Sequence, residues 1–259
     1  MIYRATPKDG IAWVTGASSG IGRAVAVALA RRGYAVVVTA RRGDLLQTIA
    51  AEAPGARIVV EPGDVTDAAG MAALVARIEA AHGGIALAFL NVGVYTPDGL
   101  DDIGGAAFRQ TFDVNIGGTV NCLAPLLMAM RARGRGQVAI NASVAGYGGL
   151  PRSTAYGASK AALINMAASL APALAAAGVT MQVVCPGFVK TPATDKNDFP
   201  MPFIMDVEPA AARICDGFER GGFEIAFPRR LAWLLKAANM LPYAAYFAVV
   251  GRVTGSGKS

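Results

Sequence analysis

The feature of this chain that most restricts its fold is a turn. A short apolar, β-branched run, Ile11-Ala12-Trp13-Val14-Thr15, leads into Gly16-Ala17-Ser18-Ser19-Gly20-Ile21-Gly22 and then into a helix-forming stretch with apolar spacing. Glycines recur where a strand must reverse sharply into a helix. They permit positive φ and close approach of an anion, while the helix N-terminus offers unpaired N–H groups and the positive end of a dipole. Strand, glycine turn and helix in that order make a pyrophosphate cradle, and the βαβ unit of a parallel sheet supplies that order.

Past the turn, short β-branched runs alternate with longer Ala-rich stretches as far as about residue 227. That alternation calls for an α/β protein, a parallel sheet covered by helices on both faces. Strands are expected over residues 11–15, 35–39, 57–61, 87–90, 136–141, 180–185 and 224–227. Helices are expected over 20–32, 43–52, 68–80, 108–131, 156–177 and 208–219. Right-handed crossovers then give one doubly wound, Rossmann-type domain with a seven-stranded, mostly parallel sheet, residues 1–228. A chain of 259 residues, 54% hydrophobic and 16% charged, has the apolar content to bury such a core, which excludes a disordered chain.

Composition also narrows the chemistry. Cys122, Cys185 and Cys215 form no CxxC pair, and His82 stands alone beside Gly83-Gly84, reading as a solvated loop residue. Neither a disulfide framework nor a metal site is expected. Unpaired cysteines, and a start broken by Arg4, Pro7, Lys8 and Asp9 rather than a signal peptide, point to the cytoplasm. The net charge of +6 comes from dispersed Lys and Arg, with no aromatic-interleaved basic stripe, so no nucleic-acid partner is expected. The final Gly255-Ser256-Gly257-Lys258-Ser259 lacks the first glycine of a P-loop and has no helix after it, and reads as a disordered terminus.

The residues at the end of the second expected strand bear on which dinucleotide would bind. A carboxylate there would hold a ribose 2′-hydroxyl, but the chain reads Thr39-Ala40-Arg41-Arg42. Two guanidiniums suit a 2′-phosphate, because Arg forms paired charge-assisted hydrogen bonds with phosphate oxygens. NADP(H) is therefore the preferred cofactor expected, with NAD(H) as the alternative. Further along, Tyr156-Gly157-Ala158-Ser159-Lys160 opens a long helix, and the i to i+4 spacing puts phenol and ammonium on one face. A cation beside a phenol favours the phenolate and draws its pKa, about 10 when unperturbed, toward neutrality. Ser143 lies just past the fifth strand, where loops at the carboxyl ends of the strands reach the ligand crevice of such sheets.

Together these motifs resemble the short-chain dehydrogenase/reductase family over nearly the whole chain. Thr15 to Gly22 matches the family's TGxxxGxG turn, and Asn91-Val92-Gly93 is a variant of its NAG element. Asn115, Ser143, Tyr156 and Lys160 match its catalytic tetrad. The resemblance implies a hydride-transferring oxidoreductase in which Tyr156 donates the proton and Ser143 polarises the carbonyl. Lys160 would bind the nicotinamide ribose and lower the Tyr156 pKa, and Asn115 would support a water relay. It further implies cofactor contacts from Gly16, Ser18, Ser19, Gly20, Ile21 and Gly22, from Asp64 and Val65 at the adenine, and from Asn91 and Gly93. Pro186, Gly187, Val189 and Thr191 would meet the nicotinamide. Family likeness also implies a homodimer or homotetramer.

Residues 190–207 fall where the family carries a substrate lid, and they mix Phe199, Met201, Phe203, Ile204 and Met205 with prolines. An apolar, adaptable cover implies a hydrophobic ketone or its alcohol. A 3-oxoacyl reductase acting on carrier-bound or CoA-bound chains is the alternative within the enzyme class, and a non-catalytic dinucleotide-binding regulator the alternative outside it. Residues 229–259 form an apolar tail in which Leu231, Leu234, Leu235, Ala238 and Leu241 recur at helical spacing before Pro242. Three roles are open to it: a core or subunit interface, a border of the substrate pocket, and a basic amphipathic anchor at a membrane surface.

Overall fold

The computed structural model describes residues 3–254 apart from 196 and 198. The terminal residues 255–259, and Lys196 and Asp198 of the segment expected to form a lid, lie outside the described residues. Among the described residues, seven strands form one sheet: β1 (Ile11–Thr15), β2 (Val36–Thr39), β3 (Ile58–Val60), β4 (Ile85–Leu90), β5 (Gly136–Asn141), β6 (Val179–Pro186) and β7 (Glu224–Phe227). Their order is β3-β2-β1-β4-β5-β6-β7 and every pairing is parallel. The order reverses between β1 and β4, so a crevice opens there at the carboxyl ends of the strands.

The helices are α1 (Gly20–Arg31), α2 (Gly43–Gln47), α3 (Ala68–His82), α4 (Ala106–Phe112), α5 (Gly118–Arg133), α6 (Thr154–Ala176), α7 (Val207–Arg220), α8 (Arg229–Asn239) and α9 (Tyr243–Thr254). Period-two alternation along the strands divides the core. Ala12, Val14, Val36 and Val38 pack with residues of α1 and α7 on one face; Ile11, Trp13 and Val37 pack with α3, α5 and α6 on the other. Trp13 is fully buried and donates its indole N–H to Thr39 Oγ1 at 2.9 Å.

Three local readings are revised. The helix expected over 43–52 is α2 followed by a 3₁₀ turn, Thr48–Glu52. The helix expected over 108–131 is α4 and α5 joined through a π-helical turn, Asp113–Gly117, that holds Asn115. His82 is not a solvated loop residue: it closes α3, half-buried, with Nδ1 3.3 Å from an Arg57 guanidinium nitrogen.

A polar pair sits in the sheet interior. Gln137 Nε2 donates to Gln182 Oε1 at 2.7 Å and to the Phe218 carbonyl at 3.0 Å, and Gln182 Nε2 donates to the Gly222 carbonyl at 2.6 Å. Both side chains are fully buried. A leucine at position 182 would leave these carbonyls and amide protons short of partners, so Gln182→Leu is expected to lower the unfolding free energy by about 1–3 kcal/mol. Urea denaturation reads this directly; a loss below about 0.5 kcal/mol would contradict it.

Candidate active site

The glycine turn adopts the backbone its sequence calls for. Gly16 and Gly20 have φ of +64° and +56°, and a Cβ on Gly22 would lie 2.4 Å from the Gly16 carbonyl oxygen. Ser19 N-caps α1 with extended backbone and no side-chain capping bond, so its hydroxyl does not occupy the first amides of the helix. Asn91 ties the turn to neighbouring strands: its backbone N–H donates to Thr15 Oγ1 at 3.0 Å and its Nδ2 to the Gly16 carbonyl at 3.3 Å, while its Oδ1 accepts from Asn141 Nδ2 at 2.9 Å.

On the far side of that bridge, Ser143 follows β5 and its Oγ accepts from the Ala145 N–H at 3.1 Å. Tyr156 and Lys160 face it from the first turns of α6. Lys160 is 2% exposed; its Nζ donates to the Asn141 carbonyl at 2.7 Å and lies 5.5 Å from the Tyr156 ring centroid. Tyr95 meets Tyr156 edge-on, ring centroids 5.0 Å apart. Burial pushes the Tyr156 phenol up to about 12, against the smaller opposing effect of its hydrogen bond with Ser143. Burial likewise pulls the Lys160 ammonium down to about 8, with Cys185 acting weakly the other way. Desolvation thus governs the phenol in this structure, and the downward pull expected from Lys160 is not among the influences that set it.

Asn115 is fully buried on the π-helical turn. Its Oδ1 accepts from the Val94 N–H at 2.8 Å, and its Nδ2 donates to the Val94 carbonyl at 3.1 Å and to Ser159 Oγ at 3.0 Å. Its own carbonyl accepts from Thr119 Oγ1 at 2.7 Å. A Cβ on Gly93 would stand 3.2 Å from Lys160 Nζ and 3.4 Å from Asn115 Oδ1, so glycine there lets the two polar groups approach.

One cavity of about 380 Å³ gathers these parts. Gly16, Ser18, Ser19, Gly20, Ile21, Arg41, Arg42, Asp64, Val65, Asn91, Gly93, Ser143, Tyr156, Lys160, Pro186, Gly187, Val189 and Thr191 all line it. Gly22 and Asn115 stand behind the wall, supporting Gly16 and the Val94 backbone. Asp64 accepts from the Thr66 N–H and hydroxyl at 3.0 and 2.9 Å, and these bonds hold its carboxyl below the usual range. Segment 190–207, where a lid is expected, is rooted by a bridge between Val189 and Met205 and by the Lys190–Asp206 ion pair at 2.8 Å. Its Phe199 meets Phe188 edge-on and lies under the Arg152 guanidinium.

These residues fit a dinucleotide. The positive-φ glycines and the crowded Gly22 leave backbone exposed where a phosphate would approach, and Asn141 Oδ1 is a buried acceptor with no hydrogen-bond partner beside the cavity. Fold and site together define a dinucleotide-dependent oxidoreductase.

Known proteins agree. The short chain dehydrogenase family model matches residues 10–200. An uncharacterised oxidoreductase of Myxococcus xanthus is 38% identical over 93% of this chain and 96% of its own length. A 2-keto-3-deoxy-L-fuconate dehydrogenase of Xanthomonas campestris is 36% identical over 70% of this chain and 58% of its own length. A crystal structure of a short-chain dehydrogenase from Streptomyces avermitilis superposes with a TM-score of 0.81 at 26% identity, covering 99% of this chain and all of that one. The chain belongs to the short-chain dehydrogenase/reductase family, whose members act on alcohol and ketone groups with NAD(P)(H).

Residues outside the motifs also build the site. Tyr95 and Gln110 line the cavity; Tyr95 follows the Asn91-Val92-Gly93 element closely enough to have been inferred from it. Asp98 gave no local signal. It is 8% exposed, and its two carboxylate oxygens accept from the Thr154 and Ala155 N–H groups at 2.6 Å each, across 56 and 57 residues of chain. It thus caps the helix that carries Tyr156, whose own N-cap, Ser153, makes no side-chain bond. Asp98→Ala is expected to lower the unfolding free energy by about 1–3 kcal/mol, with Asp98→Asn retaining part of the loss. Equal stability of wild type and the alanine variant in urea would contradict the capping role.

Proposed function

We propose that this oxidoreductase is an NADPH-preferring reductase of a hydrophobic ketone, also able to oxidise the matching secondary alcohol. The observation that carries the reading is that one cavity lines the glycine turn, Arg41 and Arg42 together with Ser143, Tyr156 and Lys160. Supporting the choice of dinucleotide, neither arginine makes an ion pair among the described residues, and no acid stands at the end of β2. Their free guanidiniums suit a 2′-phosphate.

The bound nicotinamide supplies the hydride. Ser143 holds and polarises the substrate carbonyl, and Tyr156 delivers a proton from its phenol to the carbonyl oxygen. Lys160 steadies the nicotinamide ribose and keeps positive charge beside the phenol as it gives up its proton. Asn115 holds the Val94 backbone and Ser159 in place behind these groups. On the substrate side, Val94, Tyr95, Val114, Ala142 and Pro192 give the cavity an apolar wall, in keeping with a hydrophobic ketone. A relative from Sinomonas cyclohexanicum is named a cis-4-hydroxycyclohexanecarboxylate dehydrogenase, which is in keeping with a secondary alcohol as the reduced partner. As in the family at large, the chain assembles as a homodimer or homotetramer through its long helices; the exposed Val120 and Met128 of α5 support such a contact.

Three outcomes test this reading. NADPH oxidation by purified protein against ketones graded in apolar size is expected to exceed NADH oxidation, and Arg41→Ala with Arg42→Ala to cut the NADPH-over-NADH ratio roughly 10-fold. Tyr156→Phe is expected to lower kcat by roughly 100-fold or more with dinucleotide affinity retained; unchanged turnover would contradict the proton-donor role, and dinucleotide binding with no turnover in the unaltered protein would leave a dinucleotide-binding regulator as the better description. The phenol stays protonated below about 12, whereas Lys160 loses its charge as pH rises through about 8. Reductive kcat/KM is therefore expected to hold at lower pH and fall as pH rises through about 8; a profile rising there would contradict the role given to Lys160.

A further inference from the structure

The residues beyond β7 form two helices whose chemistry the catalytic site does not use, and which lie outside the residues matched by the family model. α8 is fastened by Leu231 and Ala232, which are buried, and by Lys236, which pairs with Glu224 and sits over the Tyr147 ring. Its opposite face carries Arg229, Arg230, Trp233, Leu234 and Ala237, and Met240 and Leu241 continue that face; all are exposed, so the apolar stripe expected over 231–241 is split between core and surface. α9 is apolar all round, from Tyr243 to Val250, yet only Tyr246 is buried; its hydroxyl donates to the Gly149 carbonyl at 2.7 Å. A helix without a polar face ordinarily lies in a core or in lipid. Here Trp233 is 70% exposed, Tyr243 77% and Phe247 64%.

Charge discriminates among possible covers. Residues 229–254 contain no Asp or Glu. Arg229, Arg230 and Arg252 make no ion pair among the described residues, and neither do Arg213 and Arg220 in the groove beside α8. The two acids of that groove are already taken, Asp216 by Arg32 and Glu224 by Lys236. A second copy set symmetrically on this face would bring the same unpaired arginines toward one another with no acid between them. An anionic lipid surface answers both halves of the patch, taking the aromatic and aliphatic side chains at the headgroup level and the guanidiniums at phosphate.

We propose that α8 and α9 form a docking surface for anionic phospholipid, with Trp233, Met240, Tyr243 and Phe247 entering the interface and Arg229, Arg230 and Arg252 meeting headgroup phosphates. The inference rests on the tail alone and stands whatever ketone the site reduces.

The test is flotation of the full chain with phosphatidylglycerol–phosphatidylcholine vesicles and with phosphatidylcholine alone. Three arginines at roughly fivefold each predict partitioning on the order of 100-fold stronger to the anionic vesicles at low salt, weakening as salt rises. Trp233 gives a second readout, because the other tryptophan, Trp13, is fully buried: anionic vesicles are expected to shift its emission to shorter wavelength. The exposed substitutions Trp233→Ser with Phe247→Ser, and separately Arg229→Gln with Arg230→Gln, are each expected to abolish most binding while leaving the thermal unfolding midpoint unchanged. No flotation with anionic vesicles at low salt would overturn the proposal. So would self-association that is lost in the Trp233→Ser, Phe247→Ser protein, which would make a second copy the cover.

Discussion

The site depends on how closely the backbone approaches itself after β1. Gly22 packs so near the Gly16 carbonyl that a side-chain carbon would stand 2.4 Å from its oxygen, and Gly16 and Gly20 take φ values that L side chains rarely adopt. This crowding sets the N-terminus of α1 against the ends of β1 and β4, where the strand order reverses. Asn91 then carries the geometry across the sheet, bonded to Gly16 on one side and to Asn141 on the other. The Asn141 carbonyl in turn accepts from Lys160, so the glycine turn and the Tyr156–Lys160 pair share one continuous frame.

Burial does two kinds of work in that frame. It packs two apolar layers against the sheet, and it sets the chemistry of Tyr156 and Lys160 by taking both out of water. With the ammonium pulled down to about 8 and the phenol pushed up to about 12, both groups remain protonated at neutral pH. Asp98 and the Asn115 hydrogen bonds hold the elements that carry this pair, which places stabilising interactions immediately behind these two side chains.

Local features of this fold were legible in the sequence because their causes are local. The glycine turn, the seven strands and the Tyr156–Lys160 spacing follow from backbone freedom, period-two alternation and helical geometry. What escaped was set by contacts distant in the chain. Asp98 reaches its helix across more than fifty residues, and the π-helical turn at Asn115 interrupts a run whose apolar spacing reads as one helix. Adjacency of a cation to Tyr156 is visible in sequence, whereas the burial that raises its phenol is not. Likewise the spacing of Leu231, Leu234, Leu235 and Leu241 identified a helix but not which side the protein would cover.

The central claim is that the glycine turn and the Ser143, Tyr156, Lys160 group serve one dinucleotide. A crystal structure of the protein with NADP tests it most directly. Pyrophosphate is expected on the amides at the start of α1, the 2′-phosphate between Arg41 and Arg42, and the nicotinamide ribose at Lys160 with the ring beside Tyr156. A dinucleotide bound elsewhere, or one whose nicotinamide lies away from Tyr156, would contradict it.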